Sequence, residues 1–130
     1  RKDLDLRPVE GVDGTASEGV ILEKLEKFGI TPEAVMLWGT GTPMREFLWS
    51  EEMADASVHV LLNVDFRDTY REGDREIRNC HINVGTGKEV SIREVAEKIM
   101  KEIGFRGELR WDSSKPDGTM RKLTDVSKLD

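Results

Sequence analysis

The stretch Val35-Met36-Leu37-Trp38-Gly39-Thr40-Gly41-Thr42-Pro43-Met44-Arg45-Glu46-Phe47-Leu48 constrains this chain most. Four apolar residues read as a buried strand, and two glycines and a proline then force a tight turn before a second apolar run. The turn opens straight off the strand, where a loop can hold ligand-binding residues. Trp38 and Arg45 flank the turn. An indole offers a flat platform for a base, and a guanidinium matches the oxygens of a phosphate. An ordinary connecting loop with a core Trp and a surface Arg would look the same, so the rest of the chain has to decide.

The elements alternate along the chain. Leu4 and Leu6 alternate with Asp3 and Asp5, a hint of a strand or an extended arm. The segment up to Ser17 is otherwise rich in turn formers, and residues 1–19 read as a weakly patterned arm. Val20 to Phe28 has a helical apolar stripe (Ile21, Leu25, Phe28), closed by Gly29. Glu46–Trp49 reads as a short strand. Ser50 then caps a helix that places Met53, Ser57, Val60, Leu61 and Val64 on one face. The charged segment from Asp65 to Asn79 reads as a surface loop. His81–Gly85 reads as a buried strand, and Gly85-Thr86-Gly87 turns it into Ser91-Ile92-Arg93-Glu94, a capping box by residue type and spacing. The helix that follows should bury Ile92, Val95, Ala96, Ile99 and Ile103 and end at Gly104. Leu109 and Trp111 alternate with charge over Glu108–Asp112, a strand pattern. Ser113 to Met120 is a loop, and Arg121 to Leu129 is extended or begins a last helix. This order predicts an α/β chain of two to three helices with short, partly parallel strands.

Composition narrows the function classes. The formal net charge is −6 in 130 residues, a poor match to a non-specific nucleic-acid binder. A basic cluster inside an acidic chain suits a small anion instead. One cysteine, Cys80, allows no internal disulfide and no zinc cage, and it fits a reducing compartment, which predicts a cytoplasmic protein. No apolar run nears the ~18 residues that would cross a membrane. The chain opens at Arg1 without a Met, which fits a piece of a longer protein.

Ligand-type residues gather in three places. Beside Trp38 and Arg45 stands the loop Ser113-Ser114-Lys115-Pro116-Asp117-Gly118-Thr119-Met120-Arg121-Lys122. There Lys115, Arg121 and Lys122 could meet a diphosphate, and Asp117 could accept sugar hydroxyl hydrogens. Pro-Asp-Gly is equally a common solvated turn. The third place is Gly85-Thr86-Gly87-Lys88. It is neither a dinucleotide fingerprint nor a Walker A loop, and a tight turn ahead of a helix accounts for it. Other candidates are weaker. His59 pairs with Asp55 on a helix surface. Cys80 and His81, neighbours on a strand, would point to opposite faces. Glu51 and Glu52 complement a helix dipole. Tyr70 lacks a Lys four residues on, and Trp49 and Trp111 suit packing.

Taken together, Leu37-Trp38-Gly39-Thr40-Gly41-Thr42-Pro43-Met44-Arg45-Glu46-Phe47-Leu48, His81-Ile82-Asn83-Val84-Gly85-Thr86-Gly87, Ser91-Ile92-Arg93-Glu94 and Ser114-Lys115-Pro116-Asp117-Gly118-Thr119-Met120-Arg121-Lys122-Leu123 resemble GDP-L-fucose synthase. That family is an NADP-dependent epimerase–reductase within the extended short-chain dehydrogenases. The likeness runs roughly from Val35 to Leu129, and residues 1–30 fit it poorly. The resemblance implies that residues 20–130 are the smaller, C-terminal part that binds the GDP-sugar, with the Rossmann half absent. It implies Trp38, Arg45 and Asp117 as substrate contacts, with Lys115 and Arg121 as secondary candidates. The family converts GDP-4-keto-6-deoxy-D-mannose to GDP-L-fucose by epimerisation and NADPH-dependent reduction, and is expected as a homodimer with no nucleic-acid or membrane partner. Its NADP fingerprint, catalytic Ser, Tyr-x-x-x-Lys pair and second acid–base Cys and His have no counterpart here, and Cys80-His81 belongs to a different motif. The chain is therefore expected to hold no catalytic residue, metal or NADP of its own, and to be inactive apart from the rest of its parent.

Overall fold

The computed structural model describes residues 7–73 and 76–129, so the alternation at Leu4 and Leu6 lies outside the described residues. The chain divides into two compact units, Arg1–Thr42 with Arg93–Gly118, and Pro43–Ile92 with Thr119–Asp130.

In the first unit, helix α1 spans Glu18–Glu26. It starts two residues before the predicted stripe because the Ser17 hydroxyl accepts from the Val20 N–H at 3.5 Å, and Glu18 sits in its first turn. Gly29 follows at φ 74°, and a Cβ there would stand 2.8 Å from that of Met36. Glycine thus lets the helix exit run against strand β1, Ala34–Trp38. Strand β4, Glu108–Asp112, pairs with β1 in parallel, from Ala34 opposite Glu108 to Trp38 opposite Asp112. Helix α3, Ile92–Glu102, leads into β4 through Gly104 at φ 70°. Val35, Leu37 and Leu109 face Ala96, Ile99 and Ile103 across an apolar groove of about 370 Å³.

Ala34, 6% exposed, is the buried hydrophobic residue here. The predicted burial of β1 and of the α3 stripe needs correction. Met36 and Trp38 lie on the open face of β1, and Ile99 and Ile103 are exposed. A sheet of two strands covers one face of itself and too narrow a strip of the helix.

The second unit is built on strand β2, Met44–Arg45, between β3, Val90–Ser91, which is antiparallel, and β5, Arg121–Lys122, which is parallel. The predicted strand Glu46–Trp49 is displaced. The ladder stops at Arg45, and the Glu46 side chain instead takes donors from both flanking segments. Helix α2 runs Ser50–Asn63 and follows Trp49, so Ser50 is its first residue and not its cap. Its Ser57, Val60 and Leu61 line a groove with Ile82 and Val84, but Leu61 and Leu62 are 81% and 74% exposed. The sequence identifies an apolar stripe without showing what covers it.

A short 3-10 turn, Phe66–Thr69, opens the charged segment, with Asp65 and Asp68 capping each other reciprocally. The strand expected at His81–Gly85 has no ladder partner among the described residues. Side chains hold this segment instead. Asn83 Nδ2 donates to the Asp125 carbonyl at 2.9 Å. Lys128 Nζ donates to the carbonyls of Thr69 (3.1 Å), His81 (3.2 Å) and Asn79. Beyond β5 the chain forms a turn in which the Leu129 N–H meets the Val126 carbonyl, and no helix follows β5 among the described residues. The architecture is α/β, with three helices and short, partly parallel strands among the described residues.

Candidate functional site

The residues singled out by sequence fall in both units. Trp38, Lys115 and Asp117 belong to the first, Arg45 and Arg121 to the second.

In the first unit, β1 delivers Trp38 to its C-terminal end, 73% exposed. The Lys115 ammonium lies 5.7 Å from the centroid of its ring, within cation–π range. Lys115 is held by its own N–H on the Asp112 carbonyl, 3.1 Å, while the Asp112 carboxylate accepts from the Ser114 N–H at 3.0 Å and its hydroxyl at 2.5 Å. Those bonds, the hydroxyl's first, hold the Asp112 carboxyl below its ordinary range.

The turn after Trp38 is locked through Thr40. Its N–H donates to Asp117 Oδ1 at 2.6 Å and its hydroxyl to Oδ2 at 2.8 Å. Its carbonyl accepts from the Arg93 guanidinium at 2.6 Å. The Arg93 guanidinium also lies 4.5 Å from the centroid of the Trp111 ring, and its backbone N–H donates to the Gly41 carbonyl at 2.9 Å. Gly41 has φ 76° and lies flat on Trp111, where a Cβ would stand 2.6 Å from the ring. Glycine is therefore required here twice, for the dihedral and for the space. Asp117 thus braces the turn behind Trp38, and the Thr40 N–H, followed by the hydroxyl, keeps its carboxyl below the usual range. A carboxylate offers about four lone-pair sites, so acceptor capacity remains for a ligand hydroxyl.

In the second unit, Arg45 is half-buried in the middle strand and donates from Nη1 to the Met44 carbonyl at 2.6 Å. Next to it, Glu46 is the hub. Oε1 accepts from the Gly87 N–H at 2.6 Å and the Thr86 hydroxyl at 3.1 Å, and Oε2 accepts from the Thr124 N–H at 3.1 Å. These donors, with the Thr124 hydroxyl the largest influence, bring its carboxyl down to about 2. The Gly85-Thr86-Gly87 turn therefore cradles an internal carboxylate. Arg121 forms a two-pronged pair with Glu89, Nε to Oε1 at 3.0 Å and Nη2 to Oε2 at 2.8 Å; Glu89 is largely covered and Arg121 open to solvent.

Thr40, Arg93, Trp111 and Glu46 were not singled out as site residues by sequence. One of them left a signal. Arg93 is the second residue of α3, where the helix dipole disfavours a cation, so another task is indicated. Among the described residues, no group of three or more His, Cys, Asp or Glu is placed to hold a metal, and no helix is long and apolar enough to cross a membrane.

In the first unit a parallel strand pair opens into a glycine turn, and in the second a small sheet carries a central arginine, both features of α/β chains. The model of the NAD dependent epimerase/dehydratase family matches residues 9–85, and the chain belongs to that family. That match begins at residue 9, ahead of Val35. GDP-L-fucose synthase 1 of Arabidopsis thaliana is 48% identical over 97 residues, 75% of this chain and 26% of that protein. Among solved structures, a GDP-6-OMe-4-keto-L-xylo-heptose reductase from C. jejuni is 42% identical with a TM-score of 0.79, covering 88% of this chain and 32% of that one. The GDP-mannoheptose C4 reductase MlghC from Campylobacter jejuni, with NADP bound, is 38% identical with a TM-score of 0.71, covering 88% and 31%. The chain spans about a quarter to a third of the length of these relatives.

Proposed function

We propose that this chain is the substrate-binding portion of a GDP-L-fucose synthase, whose whole enzyme converts GDP-4-keto-6-deoxy-D-mannose to GDP-L-fucose. The observation that carries the reading is the Trp38–Arg45 turn, lying within a likeness of 48% to a protein of that name. In this reading Arg45 receives the diphosphate, since a guanidinium binds phosphate oxygens in a two-pronged fork. Trp38 packs on the nucleotide or sugar with its exposed ring, and Lys115 adds positive charge at that ring. Asp117 fixes the turn and accepts a hydroxyl hydrogen on its remaining lone pairs. Arg121 is a secondary phosphate contact, with Glu89 holding its guanidinium.

NADPH supplies the hydride of the parent reaction, and the residues here do not fit it. In the Gly85-Thr86-Gly87 turn ahead of α3, the Gly87 amide is bound to Glu46. The cofactor and the proton-transfer groups are assigned to the rest of the parent, which we take to be a cytoplasmic homodimer. The chain alone is then inactive. Mixing it with GDP-4-keto-6-deoxy-D-mannose and NADPH should leave the nicotinamide absorbance constant, and steady NADPH consumption would refute the assignment.

A second reading makes the parent a GDP-heptose reductase, favoured by the 42% identity and TM-score of 0.79 to the C. jejuni reductase. Both readings use the same GDP contacts. Competition between GDP-L-fucose and a GDP-heptose for the chain separates them, the tighter ligand marking the parent.

A further inference from the structure

Strand β2 is two residues long, as are both of its neighbours. A three-stranded sheet this short has few ladder bonds to fix its middle strand. Where the ladder stops, Glu46 begins. Its carboxylate reaches the Gly87 N–H and Thr86 hydroxyl on the segment leading into β3, and the Thr124 N–H on the segment leaving β5. One side chain thus ties the middle strand to both neighbours. Gly85 leaves it the room, since a Cβ there would lie 2.7 Å from Oε1. Glu46 follows Arg45 directly, so anchoring its carboxylate to both flanking segments fixes the backbone that carries Arg45.

We propose that Glu46 is the positioning residue of Arg45, its carboxylate standing in for the missing ladder on both sides of β2. The binding arm of the test rests on Arg45 being the diphosphate clamp, and the backbone arm does not.

The test uses the full 130-residue chain carrying Glu46→Gln. Glutamine keeps the length, but its NH2 faces N–H donors, so at least one of Gly87 and Thr124 loses its acceptor. Amide exchange at Gly87, Thr124 and Met44, whose N–H bonds the Met120 carbonyl at 2.8 Å, should accelerate by roughly tenfold or more. Exchange at Met36 and Thr40 in the first unit should stay unchanged. Unchanged exchange at Met44 overturns the proposal. Should Glu46→Gln loosen the whole chain, Thr86→Val serves instead, because it removes one donor and keeps the carboxylate. Met44 exchange must then still rise, by a smaller factor, and no rise overturns the proposal.

The second arm measures GDP affinity in Arg45→Ala, Glu46→Gln and the double variant. Glu46→Gln should weaken binding by about tenfold, and the double variant should bind no worse than Arg45→Ala, as expected when one residue acts through the other. Wild-type affinity in Glu46→Gln beside a loss in Arg45→Ala overturns the proposal. If Arg45→Ala itself changes nothing, the clamp reading fails, and Met44 exchange decides the positioning claim.

Discussion

Trp38 and Arg45 stand seven positions apart and are supported in different ways. Trp38 ends a strand with five paired positions, and the turn beyond it is closed by Asp117, Arg93 and Trp111 together. Arg45 sits in a strand with two, and the carboxylate of Glu46 does much of what a ladder would do. Each unit uses a carboxylate that accepts from a threonine hydroxyl and backbone amides. In the first it trims a turn that is already framed, and in the second it is the frame. Side-chain chemistry should therefore matter more to the second unit, and steric packing more to the first.

The largest effect should break the first unit without touching a carboxylate. Gly41→Ala forces a Cβ into Trp111 at φ 76°, which should cost about 2–4 kcal/mol in urea unfolding. Gly85→Ala presses on the tip of Glu46 at an ordinary φ and should cost less, about 1 kcal/mol. Equal losses would erase the contrast.

Acid should reverse the order. The Glu46 carboxyl lies at about 2 in the fold against an ordinary 4.5, so its stabilisation is present above 4.5 and is lost as pH falls toward 2. Its carboxyl carbon resonance should titrate near 2, and a midpoint near 4.5 would show that the carboxylate is not held. Asp117 is lowered too, by the Thr40 N–H and then its hydroxyl, but the packing of Gly41 on Trp111 persists in acid, so full protonation should loosen the second unit further than the first.

Smaller changes sharpen the comparison. Arg93→Lys keeps the charge but loses the flat guanidinium over Trp111, costing about 0.5–1 kcal/mol with a shift in Trp111 emission. Leu61→Ser, on an 81% exposed side chain, should stay within about 0.5 kcal/mol by thermal unfolding.

The elements legible in the sequence were those with enough residues to display a period. Glu108–Asp112 alternates over five positions and is a strand at those bounds. Helices α1 and α3 carry stripes and flanking glycines, and their existence followed. Two-residue strands have no period, so the sequence pattern places β2 two residues late. His81–Gly85 has a strand's composition but side-chain partners in place of a ladder. Apolar stripes were visible, while their exposure was not, because exposure depends on what else is near.

The site divides along the same line. Gly39, Gly41 and Pro43 announced the turn. The bond that locks it does not show locally, since Thr40 and Asp117 are 77 positions apart; nor does the one that holds β2, since Glu46 and Thr124 are 78 apart. A glycine-threonine-glycine turn also reads alike whether it holds a phosphate or a glutamate of its own chain.

The central proposal is that this chain carries the nucleotide contacts of a GDP-sugar enzyme. Calorimetric titration of GDP into the chain and into Arg45→Ala tests it most directly. The account predicts saturable heat from the chain and a loss of about 1.5–3 kcal/mol or more in Arg45→Ala, the worth of a charge-assisted phosphate contact. No saturable heat, or the same affinity in both, would contradict it.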